Sequence, residues 1–205
     1  MPSTSAHATD GAVQASARGE RAEKALVDAV LDLIDESGVT GLTIDNIARR
    51  AKVGKPTIYR RWSNKEELVA YALGHVEVPP VIDPDGELRS TLIAVLANLS
   101  ERLTSTRVGR AWCRLIGSDD RYSEATRLYA EEFIAPRIDA LVRLLQREID
   151  AGTLRADIDA LSTVNMMIST VVGGVVNVQP SGHVVPPVDA IVDTFLTGLS
   201  RRSPT

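Results

Sequence analysis

Between Lys55 and Trp62 the chain reads Lys-Pro-Thr-Ile-Tyr-Arg-Arg-Trp. These residue types, at this spacing, can hold a polyanion and read its surface. Ile58 and Trp62 are four apart and point inward together if the stretch is helical. Lys55, Thr57, Tyr59, Arg60 and Arg61 are then left outward. Cations on such a face attract phosphates, and Arg and Thr can bond to base edges, so a short helix of this kind suits the DNA major groove. Pro56 falls in the first turn, where its missing N–H costs nothing.

The preceding residues must position that helix. Thr43 is placed to cap a helix with its hydroxyl, and Ile44, Ile47, Ala48 and Ala51 fall on one face. Val53-Gly54 then breaks the run, glycine being the residue expected to take the unusual backbone angles of the turn. Upstream, Arg18 to Ser37 reads as a bracing helix whose apolar stripe includes Ala22, Leu26, Val30, Leu33 and Ile34, with Gly38 as its stop. Residues 1–17, rich in Ser, Ala and Thr, are expected to form a disordered tail. Arg18 and Arg21 stand where they could reach a phosphate backbone or simply face solvent.

Charge follows the same division. From Ile44 to Lys65 seven basic residues (Arg49, Arg50, Lys52, Lys55, Arg60, Arg61, Lys65) face one acid, Asp45, although the whole chain carries a formal charge of −4. From Glu66 onward thirteen basic residues meet nineteen acidic ones. A basic block within an acidic chain is the footprint of a nucleic-acid-binding element. A basic cluster alone is as readily a solvated face. Its coincidence with a helix-turn-helix pattern is what favours DNA.

The segment resembles the DNA-binding domain of the TetR family of bacterial transcriptional regulators. Thr43, Ile47-Ala48, Ala51, Val53, Tyr59, Lys65-Glu66 and Leu68 match that family's pattern in order. Lys52 and Gly54 depart from its usual Gly and Ser, and Arg61-Trp62 from its commoner His-Phe; losing the Ser removes a side-chain cap from the recognition helix. The likeness is close only in this part of the chain, and the remainder fits in length and helical layout. It implies an all-α protein with an N-terminal three-helix DNA-binding domain (18–75, with its connecting helix) and a larger helical effector-binding and dimerisation domain (83–200). It also implies a homodimer on a palindromic double-stranded operator, repression relieved by an unidentified small-molecule effector, and Lys65 as a phosphate clamp, with Thr43 also expected on phosphates.

Downstream the pattern stays helical. Ser63 and Glu66 stand at capping-box spacing, so a fourth helix is expected from Asn64 to about His75. It would connect the DNA-binding part to everything after it. Val76 to Pro84, with three prolines, is the expected domain boundary. Asp83 is the expected cap of a helix whose stripe runs Leu88, Leu92, Val95, Leu96, Leu99 and Leu103. A shorter helix covers Arg107 to Ile116, and a long one Tyr122 to Ala151, where Pro136 predicts a kink or a break. Asp157 or Asp159 would cap the next element. Thr170 to Val178 allows either a hairpin around Gly173-Gly174 or a mostly buried helix, and the spacing of Leu161, Val164, Met167, Ile168 and Val171 favours helix. A last amphipathic helix runs from Pro187 to Leu199.

One helix-turn-helix contacts only a few base pairs, so two copies are expected, joined through these last two helices. Ile168, Val171, Val172 and Val175, with Ile191 and Phe195, are the expected interface; packing within one subunit is the competing reading. Trp112, Cys113, Tyr129, Phe133 and Met166 are candidate linings of an effector pocket, with Arg110 or Arg114 able to meet an acidic group. Each is more readily read as ordinary core or surface.

Catalysis is not expected. His7, His75 and His183 lack metal-site spacing, and a lone Cys113 on a helical stripe is more often a small apolar residue than a nucleophile. No metal or cofactor is expected. With a single cysteine, no basic start before an apolar run and no stretch of about twenty apolar residues, neither a signal peptide nor a membrane span is expected, and a reducing cytoplasm fits. The rival readings are a DNA binder of the same fold answering to a partner protein or to no effector, and a thiol enzyme built on Cys113.

Overall fold

A computed structural model describes residues 6–74, 82–83, 85–176 and 186–200. His75, His183, the proline-rich boundary before Ile82 and the loop after Val176 lie outside the described residues. All described elements are helical, among them α1 Ala6–Ser37, α2 Ile44–Ala51, α3 Lys55–Tyr59 and α4 Lys65–Gly74. They continue as α5 Leu88–Ser105, α6 Arg107–Ile116, α7 Glu124–Tyr129, α8 Ala135–Asp150, α9 Ala160–Val176 and α10 Val188–Leu199. The segment 170–176 is therefore helix, not hairpin.

Several boundaries differ from the sequence reading, each for a local reason. The first helix begins at Ala6, so residues 6–17, expected as a tail, continue it; their alanines favour helix over coil. Asp83 does not cap α5. It closes a preceding turn, accepting the Asp85 N–H at 2.9 Å, and the cap passes to Glu87, whose carboxylate accepts from the N–H groups of Arg89 and Ser90. The box opening α4 is shifted by one residue: Asn64 accepts from Glu67 N–H at 2.8 Å, and Glu67 accepts from Ser63 N–H at 2.7 Å. Asp159, not Asp157, caps α9 by accepting the Ser162 N–H at 2.7 Å.

Pro136 acts as its chemistry requires. Having no N–H, it cannot continue the regular ladder of the long helix expected from Tyr122. The chain inserts a π-helical turn, Ala130–Ile134, between α7 and α8, closed by the Ala135 N–H on the Ala130 carbonyl. The wider turn directs Phe133 onto α4. There it packs so closely that a Cβ at Gly74 would stand 2.4 Å from its ring. Glycine at 74 is thus a condition of the approach.

The buried side chains form two clusters. One joins Leu26, Val30 and Ile34 of α1, Ile47, Ile58 and Trp62, and Leu68 and Leu73 of α4 to Val108, Ala111, Leu115, Ala125 and Tyr129. The other joins Leu92 and Leu96 of α5, Leu141, Leu144 and Leu145 of α8, Val164, Met167 and Val171 of α9, and Ile191 and Val192 of α10. Helices α6 and α7 thus share the core of the N-terminal helices, and the expected division after residue 75 does not coincide with a break in packing.

Candidate nucleic-acid interface and internal cavity

Thr43 caps α2 as its type predicts. Its hydroxyl accepts the Asn46 N–H at 3.2 Å, and the Asn46 side chain returns the bond to the Thr43 N–H at 2.9 Å. Such a cap is worth about 1 kcal/mol. The turn that follows is made by a different residue from the one expected. Lys52 takes the left-handed conformation (φ 54°), while Gly54 has φ −69° and is an ordinary extended N-cap without a side-chain bond. Glycine's freedom is not used at 54; the turn is held instead by Lys52 and Val53 N–H groups returning to the end of α2.

Helix α3 buries Ile58 completely, and Trp62 is nearly buried beyond its end, its N–H returning to the Ile58 carbonyl at 3.0 Å. The expected outward face is divided by ion pairs. Tyr59 is 54 % exposed, and Arg60 is exposed beside it. Lys55 pairs with Asp45. Arg61 turns back onto α1, pairing with Glu23 and lying 5.9 Å over the Trp62 ring. Thr57 is half-buried in a cleft between the start of α1 and the turn, lined also by Arg18, Lys52, Arg60 and Arg61. This cleft brings Arg18 beside the α3 cations, a proximity the sequence separation hid. Lys65 lies in the first turn of α4, 3.5 Å from Glu66 and 24 % exposed. Arg50 belongs elsewhere: it makes a two-pronged bond to Glu36 of α1 at 2.7 and 2.9 Å, which holds the Glu36 carboxyl below the usual carboxylate range.

Nearer the middle of the chain, α5, α6, α8 and α9 enclose a cavity of about 110 Å³. Of the five lining candidates, Trp112 and Tyr129 are on its wall, their rings 4.9 Å apart. Cys113, Phe133 and Met166 are not among the lining residues. Cys113 lies on another side of α6, Phe133 faces Gly74, and Met166 is 52 % exposed on the outer side of α9. Arg110 and Arg114 are both exposed and do not line it, Arg114 pairing with Asp35 of α1. The cavity's cations are Arg102 and Arg137, which sequence reasoning missed because neither stands beside an aromatic or a motif. Burial pushes the Tyr129 hydroxyl up, opposed by the positive charges of Arg102 and Arg137.

The expected interface residues also separate. Val171 and Ile191 are buried in the chain's own core, and Ile168 lines the cavity. Val172, Val175 and Phe195 remain half-buried, on helices whose outer surface also exposes Leu161 and Met166. Burial raises the Cys113 thiol above its ordinary range, the reverse of what a nucleophile requires. No cluster of metal-binding side chains occurs among the described residues, and no described helix is long and apolar enough to cross a membrane.

A capped helix, a tight turn and a short basic helix, braced by α1 and followed by a helical body, define a helix-turn-helix DNA-binding transcriptional regulator. Residues 26–72 match the family described as bacterial regulatory proteins, tetR family, and residues 82–180 match the tetracyclin repressor-like C-terminal domain. The uncharacterized HTH-type transcriptional regulator YdeS of Bacillus subtilis is 32% identical over 151 residues, covering 73% of this chain and 76% of its own. The DNA-binding transcriptional repressor TetR of Mycobacteroides abscessus is 30% identical over 148 residues, covering 70% and 76%. Among solved structures, the TetR family transcription regulator SCO0332 superposes with a TM-score of 0.62 at 25% identity, over 88% of this chain and 99% of its own. NalD, the secondary repressor of the MexAB-OprM multidrug efflux pump in Pseudomonas aeruginosa, shares the fold with a TM-score of 0.70 at 17% identity, over 90% and 98%. The chain belongs to the TetR family of transcriptional regulators, which are not enzymes.

Proposed function

We propose that this regulator is a cytoplasmic repressor that binds a palindromic or near-palindromic operator as a homodimer and leaves it when a small molecule occupies the cavity. Thr57, Tyr59 and Arg60 would meet the major groove, with Lys55 and Arg61 released from their acidic partners to join them. Thr43 and Lys65 would hold phosphates. The outer surface of α9 and α10, carrying Leu161, Met166, Val172, Val175 and Phe195, would pair with its copy and set two α3 helices about 34 Å apart. Two similar proteins carry repressor in their names, which favours that sign of regulation.

The observation that carries the release step is the position of Tyr129. It is a wall of the cavity and also a member of the core shared with the N-terminal helices, and its ring stacks at 5.8 Å on Phe133, which presses on Gly74 of α4. A ligand that moves Tyr129 therefore moves the end of α4. A parallel connection runs through Arg107 at the start of α6, which pairs with both Asp28 and Asp32 of α1. Occupancy would favour one spacing of the two α3 helices over another, a population shift driven by differential affinity.

The test is a selection from random oligonucleotides with the purified chain, paired with sedimentation analysis. An enriched inverted repeat and a dimer are expected. A monomer with no sequence preference overturns the reading.

A further inference from the structure

The cavity wall is apolar apart from Asn98, the Tyr129 hydroxyl and two arginines. Val95, Leu99, Leu141 and Ile168 are typical of it, and Trp112 and Tyr129 add two aromatic faces. The two guanidinium groups belong to Arg102 and Arg137. Arg102 stands close enough to the Tyr129 hydroxyl for its charge to act on it. Arg137 is different. It is half-buried, and it has neither an ion pair nor a hydrogen bond among the described residues.

An arginine so placed is costly. Burial disfavours its charged form; the Tyr129 hydroxyl partly offsets this, and the neighbouring Arg102 charge adds to it. A lysine or histidine could escape by losing its proton, but a guanidinium does not deprotonate in proteins. Buried cations are ordinarily paired, and Arg in particular suits the two oxygens of a carboxylate. The lining offers the two guanidinium groups only the neutral Asn98 side chain and the Tyr129 hydroxyl, and no carboxylate, so the arrangement lacks one component, an anion that enters with an apolar body.

We infer that the cavity takes a compact apolar monocarboxylic acid, its carboxylate bridging Arg137 and Arg102 and its hydrocarbon body lying against Trp112 and the aliphatic wall. This rests on the proposal that the cavity is the effector site, and specifies the effector's chemistry. The volume of about 110 Å³ sets the size. At roughly 10–15 Å³ for each water position, it holds on the order of eight waters, or about ten non-hydrogen atoms. Benzoic, short phenylalkanoic and medium-chain alkanoic acids fall in that range; dicarboxylates and sugars do not suit the lining.

The test compares matched probes on the full chain. Benzoate, phenylacetate, 3-phenylpropanoate and octanoate are each titrated by calorimetry at pH 7.5 beside the corresponding primary amide, which keeps shape and removes charge. At least one acid is expected to bind tenfold or more tightly than its amide. In Arg137→Met that preference falls below threefold because the acid loses more affinity than the amide, and Arg137→Lys restores part of it. The acid-amide comparison on the unaltered chain stands even if a variant folds poorly. Amides binding as well as all four acids, no acid binding at millimolar concentration, or Arg137→Met retaining the preference overturns the inference. Operator affinity, measured separately, distinguishes the two readings. An acid that binds with the expected preference but leaves the operator complex intact keeps the anion site and removes the release step. Amides that release operator while acids do not keep the release step and remove the anion site.

Discussion

Replacing Gly74 by Ala tests the mechanical link between α4 and the cavity wall. The added Cβ would lie 2.4 Å from two ring carbons of Phe133 and 2.5 Å from a third. Carbon atoms rest about 3.5–4.0 Å apart, so ring and helix must separate by about 1 Å or more. Overpacking of this kind costs about 1–3 kcal/mol. For a chain of this size each kcal/mol lowers the melting temperature by about 2–4 °C, giving a fall of about 2–12 °C. Phe133→Ala alone is also destabilising, by about 2–4 kcal/mol, since it empties a partly buried aromatic site. The double variant should nevertheless recover about 1 kcal/mol or more relative to the sum, because the ring that the new methyl strikes is gone. Calorimetric melting of the four proteins measures that coupling. Additive effects within about 0.5 kcal/mol would mean that Phe133 yields freely, and the proposed path from Tyr129 to α4 would lose its contact.

Two further outcomes follow from other parts of the molecule. If Lys65 holds a phosphate in each subunit of a dimer, as proposed, Lys65→Ala should flatten the salt slope of operator binding by about 1.8, and the loss of affinity should shrink about twelvefold between about 50 and 200 mM salt; an unchanged slope in a titration series places Lys65 away from phosphate. Tyr71, whose hydroxyl donates to Glu23, is pushed up to about 12, burial being the larger cause. Its folded value lies above its ordinary value near 10, so its contribution to stability is complete below about pH 10 and is lost as pH rises through about 12. Urea midpoints across that window should fall less steeply in Tyr71→Phe; identical curves would show that the hydroxyl contributes nothing.

What the sequence made legible was local. Thr43 as a cap, Ile58 and Trp62 as a buried pair, Pro136 as a disruption and the helix through Val176 all follow from one residue type acting on its near neighbours. What stayed hidden depended on partners far along the chain. Arg61 reads as outward on a helix wheel, yet Glu23 claims it from 38 residues away. Arg110 and Arg114 sit on the right helix but on its outer side, while Arg102 and Arg137 reach the cavity from α5 and α8. Val171 and Ile191 satisfied the apolar pattern equally well as interface or core, and packing within the chain took both. The left-handed residue was misplaced for a related reason: glycine is the usual occupant, but at Lys52 the returning hydrogen bonds hold the conformation without it.

The π-helical turn has a consequence for how the protein can vary. A widened turn holds one residue more than a regular helix of the same rise, and each residue of an α-helix turns its side chain by about 100°. Deleting a single residue between Ala130 and Ile134 would let the ladder close normally and leave everything beyond in phase, because the widened turn is what absorbs the extra residue. Arg137, Ile138 and Leu141 would keep their places on the cavity wall, whereas a deletion inside the regular part of α8 would rotate all that follows it by that angle. The widened turn is thus the place where this helix tolerates a change of length, and the cost of using it falls on the reach of Phe133 to Gly74.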